Sequence, residues 1–231
     1  MEILKLLKLP DLVTLASALL GFFAVIVAGA DHATASVLIL LAVVGDGLDG
    51  FLARRLEHSS IGEHLDSLAD LVSFGVAPSV IAYVLLSGRV SIYIMLPVLC
   101  FYLACGILRL ARYGALSQTQ KEDFNGLPIT AGGMCVALFV IAGEILPLSL
   151  YLLPLMLLLA LIMVSDIDYP KLGNRKILMP MGFLTALTVL VYFVGMIIKA
   201  VQVYAFFIGV CLLFLMGVYL ISPLILWLKK R

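Results

Sequence analysis

Charge is what this chain has least of. Only 13% of its 231 residues are Asp, Glu, Lys or Arg, and the mean hydropathy is +1.20. A soluble domain of this size has no way to hide that much apolar surface, so the solvent must be a bilayer. The net charge is only +1, so no broad basic field is present to hold nucleic acid. The four cysteines, Cys100, Cys105, Cys135 and Cys211, lack metal-ligand spacing and read as small buried hydrophobes. The three histidines share no spacing either: His58 and His64 are expected on the surface of a turn, and His32 in a solvated loop. No tandem short repeat is evident. The apolar runs are continuous, not alternating, which argues against a β-barrel. The opening "MEILKLLKLP" has no long apolar core and no small-residue cleavage site, so it does not read as a removable leader. Leu4, Leu6, Leu7 and Leu9 with Lys5 and Lys8 suggest a short amphipathic segment at the membrane surface.

What is present is length of hydrocarbon. Eight apolar spans follow one another, at about 12–30, 34–55, 65–87, 90–112, 127–145, 147–165, 177–198 and 202–228. Each is close to the ~20 residues a helix needs to cross. The breaks carry Pro10, "GADHAT", "SGR", "GALSQTQKEDFNGLP", "ILP" and "DIDYPKLGNRK". The break near 145–148 is the weakest, with only Glu144 and Pro147 to mark it. The expected fold is an all-α polytopic membrane protein, a single integral domain over 1–231. Residues 1–11 form a juxtamembrane segment.

Thirteen of the fifteen basic residues fall in alternate connections, beginning with the N-terminus; only Arg89 and Lys199 fall in the others. By the positive-inside rule both termini are cytoplasmic, and the pattern needs an even number of helices.

Against this background one stretch stands out. "GDGLDGFLARRLEHSSIGEHLDSLAD", residues 45–70, holds six acids. Asp46 and Asp49 are three apart on one helix face, and Asp66 and Asp70 are four apart on another. A short turn lets the two helices run antiparallel and close the faces on one cavity. Acids inside membrane helices are costly and mark function. Carboxylates without His or Cys partners suit a hard divalent cation, Mg²⁺, Mn²⁺ or Ca²⁺, and four suggest two ions. Glu57 and Glu63 read as a solvated turn. Gly50, Ala53 and Gly62 leave room beside the metal. Arg54 and the Ser59 and Ser60 hydroxyls suit phosphate. The constellation points to metal-assisted phosphate chemistry at the cytoplasmic membrane face.

The residues then resemble a known family. "DGLDGFLAR", seven residues, and "GEHLDSLAD" match the signature Asp-x-x-Asp-Gly-x-x-Ala-Arg … Gly-x-x-x-Asp-x-x-x-Asp of the CDP-alcohol phosphatidyltransferases. "PDLVT" is similar to that family's Pro-Asn/Asp-x-x-Thr element. The resemblance implies that Asp46, Asp49, Asp66 and Asp70 ligate two divalent ions, with Asp66 bridging them and Asp70 also the general base. It implies that Asp11, Thr14, Gly50, Ala53, Arg54, Ser59 and Gly62 hold the CDP-lipid. It further implies a six-helix core, here 12–165, a homodimer, and a two-helix extension over 166–231.

For the acceptor, "ILRLARYG", "FNGLPITAGG" and "LIMVSDIDYPKL" resemble the phosphatidylserine synthase branch, although "ITAGG" departs from its usual "PAAA" ending. Archaetidylserine synthases share the pattern, so acyl and isoprenoid ether lipids both stay open. Arg109 and Arg112, three apart at the end of the fourth span, are candidates to contact the serine carboxylate or a phosphate. The expected partners are a CDP-diacylglycerol-type lipid, L-serine and membrane lipids. Glycerol 3-phosphate or inositol phosphate is the alternative acceptor within the family. A divalent-metal transporter is the alternative from another class; it would favour acids at the bilayer midplane.

Overall fold

The structure is a computed structural model, describing residues 7–53, 56, 59, 61–117, 126–167 and 175–229. Among these residues every regular element is helical. Eight helices follow in order: α1 (Leu9–Val27), α2 (His32–Ala53), α3 (Gly62–Leu86), α4 (Ile92–Ser117), α5 (Ile129–Gly143), α6 (Leu152–Val164, entered through a 3₁₀ turn at Ser149–Tyr151), α7 (Arg175–Ile197) and α8 (Lys199–Lys229).

Six of them are long and apolar enough to cross a membrane; α5 and α6 are shorter than the spans expected from sequence. Burial explains the difference for α5. It runs through the centre of the bundle, buried along almost its whole length, so it matches protein neighbours and not the thickness of lipid. Its sequence "ITAGGMCVALFVIAG" is rich in small residues, which let neighbours approach closely. A Cβ on Gly133 would lie 2.9 Å from Phe74 Cα of α3.

The same device joins the first three helices. Ser17 of α1 sits where a side chain on Gly45 of α2 would be. A Cβ on Gly21 would lie 2.6 Å from Ser73 Cα of α3. The Ser73 hydroxyl donates to the Ser17 carbonyl at 2.9 Å, tying α3 to α1 by a polar bond within the apolar bundle.

Three sequence expectations are corrected here. Pro10 does not precede the first helix; it lies in its opening turn, where a missing N–H costs nothing. Residues 9–11 of the expected juxtamembrane segment are therefore helix; residues 1–6 lie outside the described ones. Cys100 and Cys211 are exposed on outward helix faces, and only Cys105 and Cys135 are buried. His32 is half-buried as the first residue of α2, and its Nδ1 lies 2.8 Å from the Ala28 carbonyl.

The two last helices are fastened to the rest at the end of the bundle where α2 begins. Asp31 caps α2, accepting from the Ala33 and Thr34 N–H groups at 2.9 and 3.2 Å. The Thr34 hydroxyl also donates to it. Tyr192 of α7 donates to Asp31 Oδ2 at 3.3 Å and lies 2.9 Å from the Thr34 hydroxyl. Burial pushes the Asp31 carboxyl up, but these hydrogen bonds, led by that of the Thr34 side chain, hold it below its ordinary value.

Candidate active site

Asp46, Asp49 and Asp66 converge. One carboxylate oxygen from each lies within 4.8 Å of the others. The spacing of three on α2 and the antiparallel entry of α3 bring this about. Three hard oxygen donors at that separation, without a sulfur or imidazole among them, fit a divalent cation of the Mg²⁺, Mn²⁺ or Ca²⁺ type.

Asp70 is buried one turn beyond Asp66 and falls outside that tight group among the described residues. It remains within electrostatic reach of Asp46, Asp66 and Asp49, and of Arg109. The fourth carboxylate is thus a neighbour of the three, not an equal member.

Immediately after Asp70 the helix widens. Residues Leu71–Val76 form a π segment before α-helical geometry resumes at Ala77. Such segments leave backbone groups to be satisfied from elsewhere and occur at functional sites. Here the buried Tyr102 hydroxyl of α4 donates to the Phe74 carbonyl at 3.1 Å.

Two threonines lie against the carboxylates. The Thr14 hydroxyl donates to Asp49 Oδ2 at 2.8 Å, and both residues are only 6% exposed. Thr130, in the first turn of α5, lies close enough to Asp46 to interact with its carboxylate. Thr14 was expected at the nucleotide. Thr130 was quoted within "FNGLPITAGG" but given no role, since a threonine in an apolar helix carries no signal until the fold puts a carboxylate opposite it.

Asp11 performs a structural task at the same end. It accepts from the Lys8 N–H at 2.7 Å, closing the first turn of α1, and from Ser59 Oγ at 3.0 Å. Gly62 packs into this pair: a Cβ there would lie 3.0 Å from Asp11 Oδ1 and 3.1 Å from Ser59 Oγ. Asp11, Ser59 and Gly62 therefore stand together. Gly50 faces open space, with nothing within 4 Å of an added Cβ. Arg54, the Ala53 side chain, Glu57, His58 and Ser60 lie outside the described residues. Glu63 and His64 are exposed, but in the first turn of α3 and not in a connecting turn.

The two arginines of α4 part company. Arg109 is half-buried and faces the carboxylates, in electrostatic reach of Asp46, Asp66 and Asp70. It also lies over the Tyr113 ring, 5.7 Å from its centroid. Arg112 turns instead to the end of α6, pairing with Asp166 at 3.3 Å and donating to the Ser165 carbonyl at 3.4 Å. Gly126, at φ +85°, donates its N–H to Ile167 at 2.9 Å. These bonds bind the ends of α4 and α6 to the segment that leads into Thr130.

The chain is similar in sequence to several curated proteins. A curated archaetidylserine synthase from Methanothermobacter thermautotrophicus is 35% identical over 179 residues, 75% of this chain and 74% of that protein. A CDP-diacylglycerol–serine O-phosphatidyltransferase from Methanocaldococcus jannaschii is 37% identical over 177 residues, 75% of this chain and 79% of its own length. An enzyme of the same name from Helicobacter pylori is 31% identical and covers 99% of this chain and 94% of itself, including the last two helices. The CDP-alcohol phosphatidyltransferase profile matches residues 7–165, which hold the three converging aspartates, Asp70 and both threonines, and the chain belongs to that family.

Proposed function

We propose that this integral membrane protein transfers the phosphatidyl or archaetidyl group of a CDP-linked lipid to the hydroxyl of L-serine, releasing CMP. The observation that carries the reading is the convergence of Asp46, Asp49 and Asp66 within a family signature. The names of the relatives, serine transferases acting on CDP-diacylglycerol and an archaetidylserine synthase, support serine as acceptor.

Asp46, Asp49 and Asp66, with Asp70 beside them, would hold divalent metal, Mg²⁺ or Mn²⁺, and the four carboxylates of the family signature would suit two ions. Metal bound there supplies positive charge to the pyrophosphate and to the departing CMP. Thr14 holds Asp49 in place, and Thr130 lies beside Asp46. Asp11, Ser59, Gly62 and Gly50 border the CDP side, and the family signature adds Ala53 and Arg54 as candidates for the same task. Asp70 takes the proton from the serine hydroxyl. The serine oxygen then bonds to the phosphorus that carries the lipid, and the bond from that phosphorus to CMP breaks. Arg109 presents its guanidinium to the serine carboxylate or the phosphate. Arg112 acts by holding α4 against α6.

Residues 12–165 form the catalytic core, 166–231 an extension, and the protein works as a homodimer. Eight helices in alternation put both ends of the described chain on the aspartate side, and the basic residues of the alternate connections support that side as cytoplasmic. The acids crowd one end of α2 and α3, which suits a substrate entering from one leaflet better than a pathway across the bilayer.

The test is CMP release from purified protein and CDP-diacylglycerol with serine, glycerol 3-phosphate, inositol 1-phosphate and inositol offered separately. Release with serine alone is expected. Faster release with a phosphorylated acceptor overturns the assignment. Running the panel with the dialkyl ether CDP-lipid distinguishes phosphatidyl from archaetidyl transfer.

A further inference from the structure

The end of the bundle opposite the aspartates holds a second polar cavity of about 410 Å³. His32 of α2, Arg89 after α3, and Glu144 and Ser149 between α5 and α6 line it, above Leu85 and Phe139. His32 is fourteen residues from Asp46 along α2, about 21 Å at a helical rise of 1.5 Å per residue. The cavity is therefore no part of the catalytic site.

Its chemistry is that of a zwitterion receptor. A guanidinium and a carboxylate face the same space, yet Arg89 directs Nη1 to Ser149 Oγ at 3.1 Å and not to Glu144. The His32 Nδ1 is occupied at the Ala28 carbonyl, which only accepts, so that nitrogen carries the proton and Nε2 is the ring's other polar atom. Opposite charges held apart over an apolar floor match a headgroup with a phosphodiester and a primary ammonium. The volume is in the range of small-ligand sites.

The cavity also lies at the depth of a membrane interface. Tyr93, in the first turn of α4, is 87% exposed, and Tyr151, two residues beyond the Ser149 that Arg89 contacts, is 64% exposed. Exposed tyrosines of this kind mark the headgroup level of a bilayer. We propose that this cavity binds the headgroup of an aminophospholipid from the leaflet opposite the active site. The phosphate sits on Arg89, the ammonium on Glu144 and on the Nε2 lone pair of His32, and the chains pass over Leu85 and Phe139.

Native mass spectrometry of the full-length protein in detergent, with added phosphatidylethanolamine, phosphatidylcholine or phosphatidylglycerol, tests this. Phosphatidylethanolamine is expected to be retained about tenfold over the other two, the ratio that one charge-assisted hydrogen bond supplies. Glu144→Gln should remove the preference over phosphatidylglycerol, and Arg89→Ala should weaken retention of all three. Gly143→Trp, at a cavity position where an added Cβ meets nothing within 4 Å, should occlude the site without disturbing the fold. It covers the case in which a charge variant fails to fold. CMP release should be unchanged in each folded variant, so failure here is separable from failure of the serine-transfer reading. Equal retention of the three lipids by the unsubstituted protein, or an undiminished preference in Glu144→Gln or Gly143→Trp, overturns the proposal. Displacement by free phosphoethanolamine at concentrations matching the lipid would show a soluble ligand instead and overturn it as well.

Discussion

Thr14→Val separates positioning of a carboxylate from its presence. Valine keeps the branched shape of threonine in α1 but removes the hydroxyl that donates to Asp49 Oδ2 at 2.8 Å. Both partners are 6% exposed, so water has little access to replace the bond. A hydrogen bond to a charged group contributes about 1.5–3 kcal/mol. Loss of a group that orients a metal ligand costs about 10–100-fold in metal affinity or activity. The two scales agree, since tenfold is about 1.4 kcal/mol. Asp49 keeps its place on α2, so the carboxylate is loosened and not abandoned. CMP release titrated with Mg²⁺ or Mn²⁺ should show half-saturation displaced about 10–100-fold upward, with much of the rate recovered at saturating metal. Thr14→Ser restores the donor and should restore the midpoint. An unchanged metal midpoint in Thr14→Val, or a Thr14→Ser variant as impaired as the valine, would refute the reasoning. A purely structural threonine would lower the melting temperature and leave the midpoint alone.

Asp70→Asn keeps the size of the side chain and removes the base; turnover should fall by about 10²–10⁴-fold, measured as CMP release, while metal-dependent thermal stabilisation persists. Near-native rates would reassign the proton acceptor. Gly126→Ala adds a Cβ at φ +85° against the Met163 carbonyl, and it should lower stability by at least the ~1–2 kcal/mol of a left-handed non-glycine residue, read from thermal unfolding in detergent. Asp31 is held below its ordinary value of 3.8, so its stabilising effect is complete at neutral pH and is lost as pH falls through its folded value, below 3.8. Asp31→Asn should therefore flatten the acid limb of the stability profile, and an unaltered limb would remove Asp31 from it.

The sequence located every helix among the described residues, because each apolar run had to lie in lipid or in the core, and composition alone reports that. Ends were less legible. The fourth span was expected to stop at 112, but α4 continues to Ser117, since nothing in "YGALS" prevents a helix from extending past the apolar region. Asp46, Asp49 and Asp66 were legible as a group because spacing of three, an intervening turn and the high cost of acids in apolar surroundings all point one way. The division between Arg109 and Arg112 was not. Helical spacing puts them on adjoining positions, and only the fold decides that one meets carboxylates and the other Asp166. Thr130 escaped notice for the same reason. The widened turn after Asp70 leaves no trace in hydrophobic periodicity, because its residues are apolar on every side.

That turn has a genetic consequence. A π segment is an α-helix carrying one extra residue, and one residue corresponds to about 100° of rotation. Leu71–Val76 therefore sets the phase between Asp66 and Asp70 on one side and the buried face through Ile81 on the other. The aim of the catalytic half of α3 depends on how many residues lie between the two halves as much as on which ones. Loss of a single codon within this stretch would leave a helix of nearly the same length and composition, still able to insert, with its aspartates turned away from α2. Most substitutions among these six residues would be milder than that deletion.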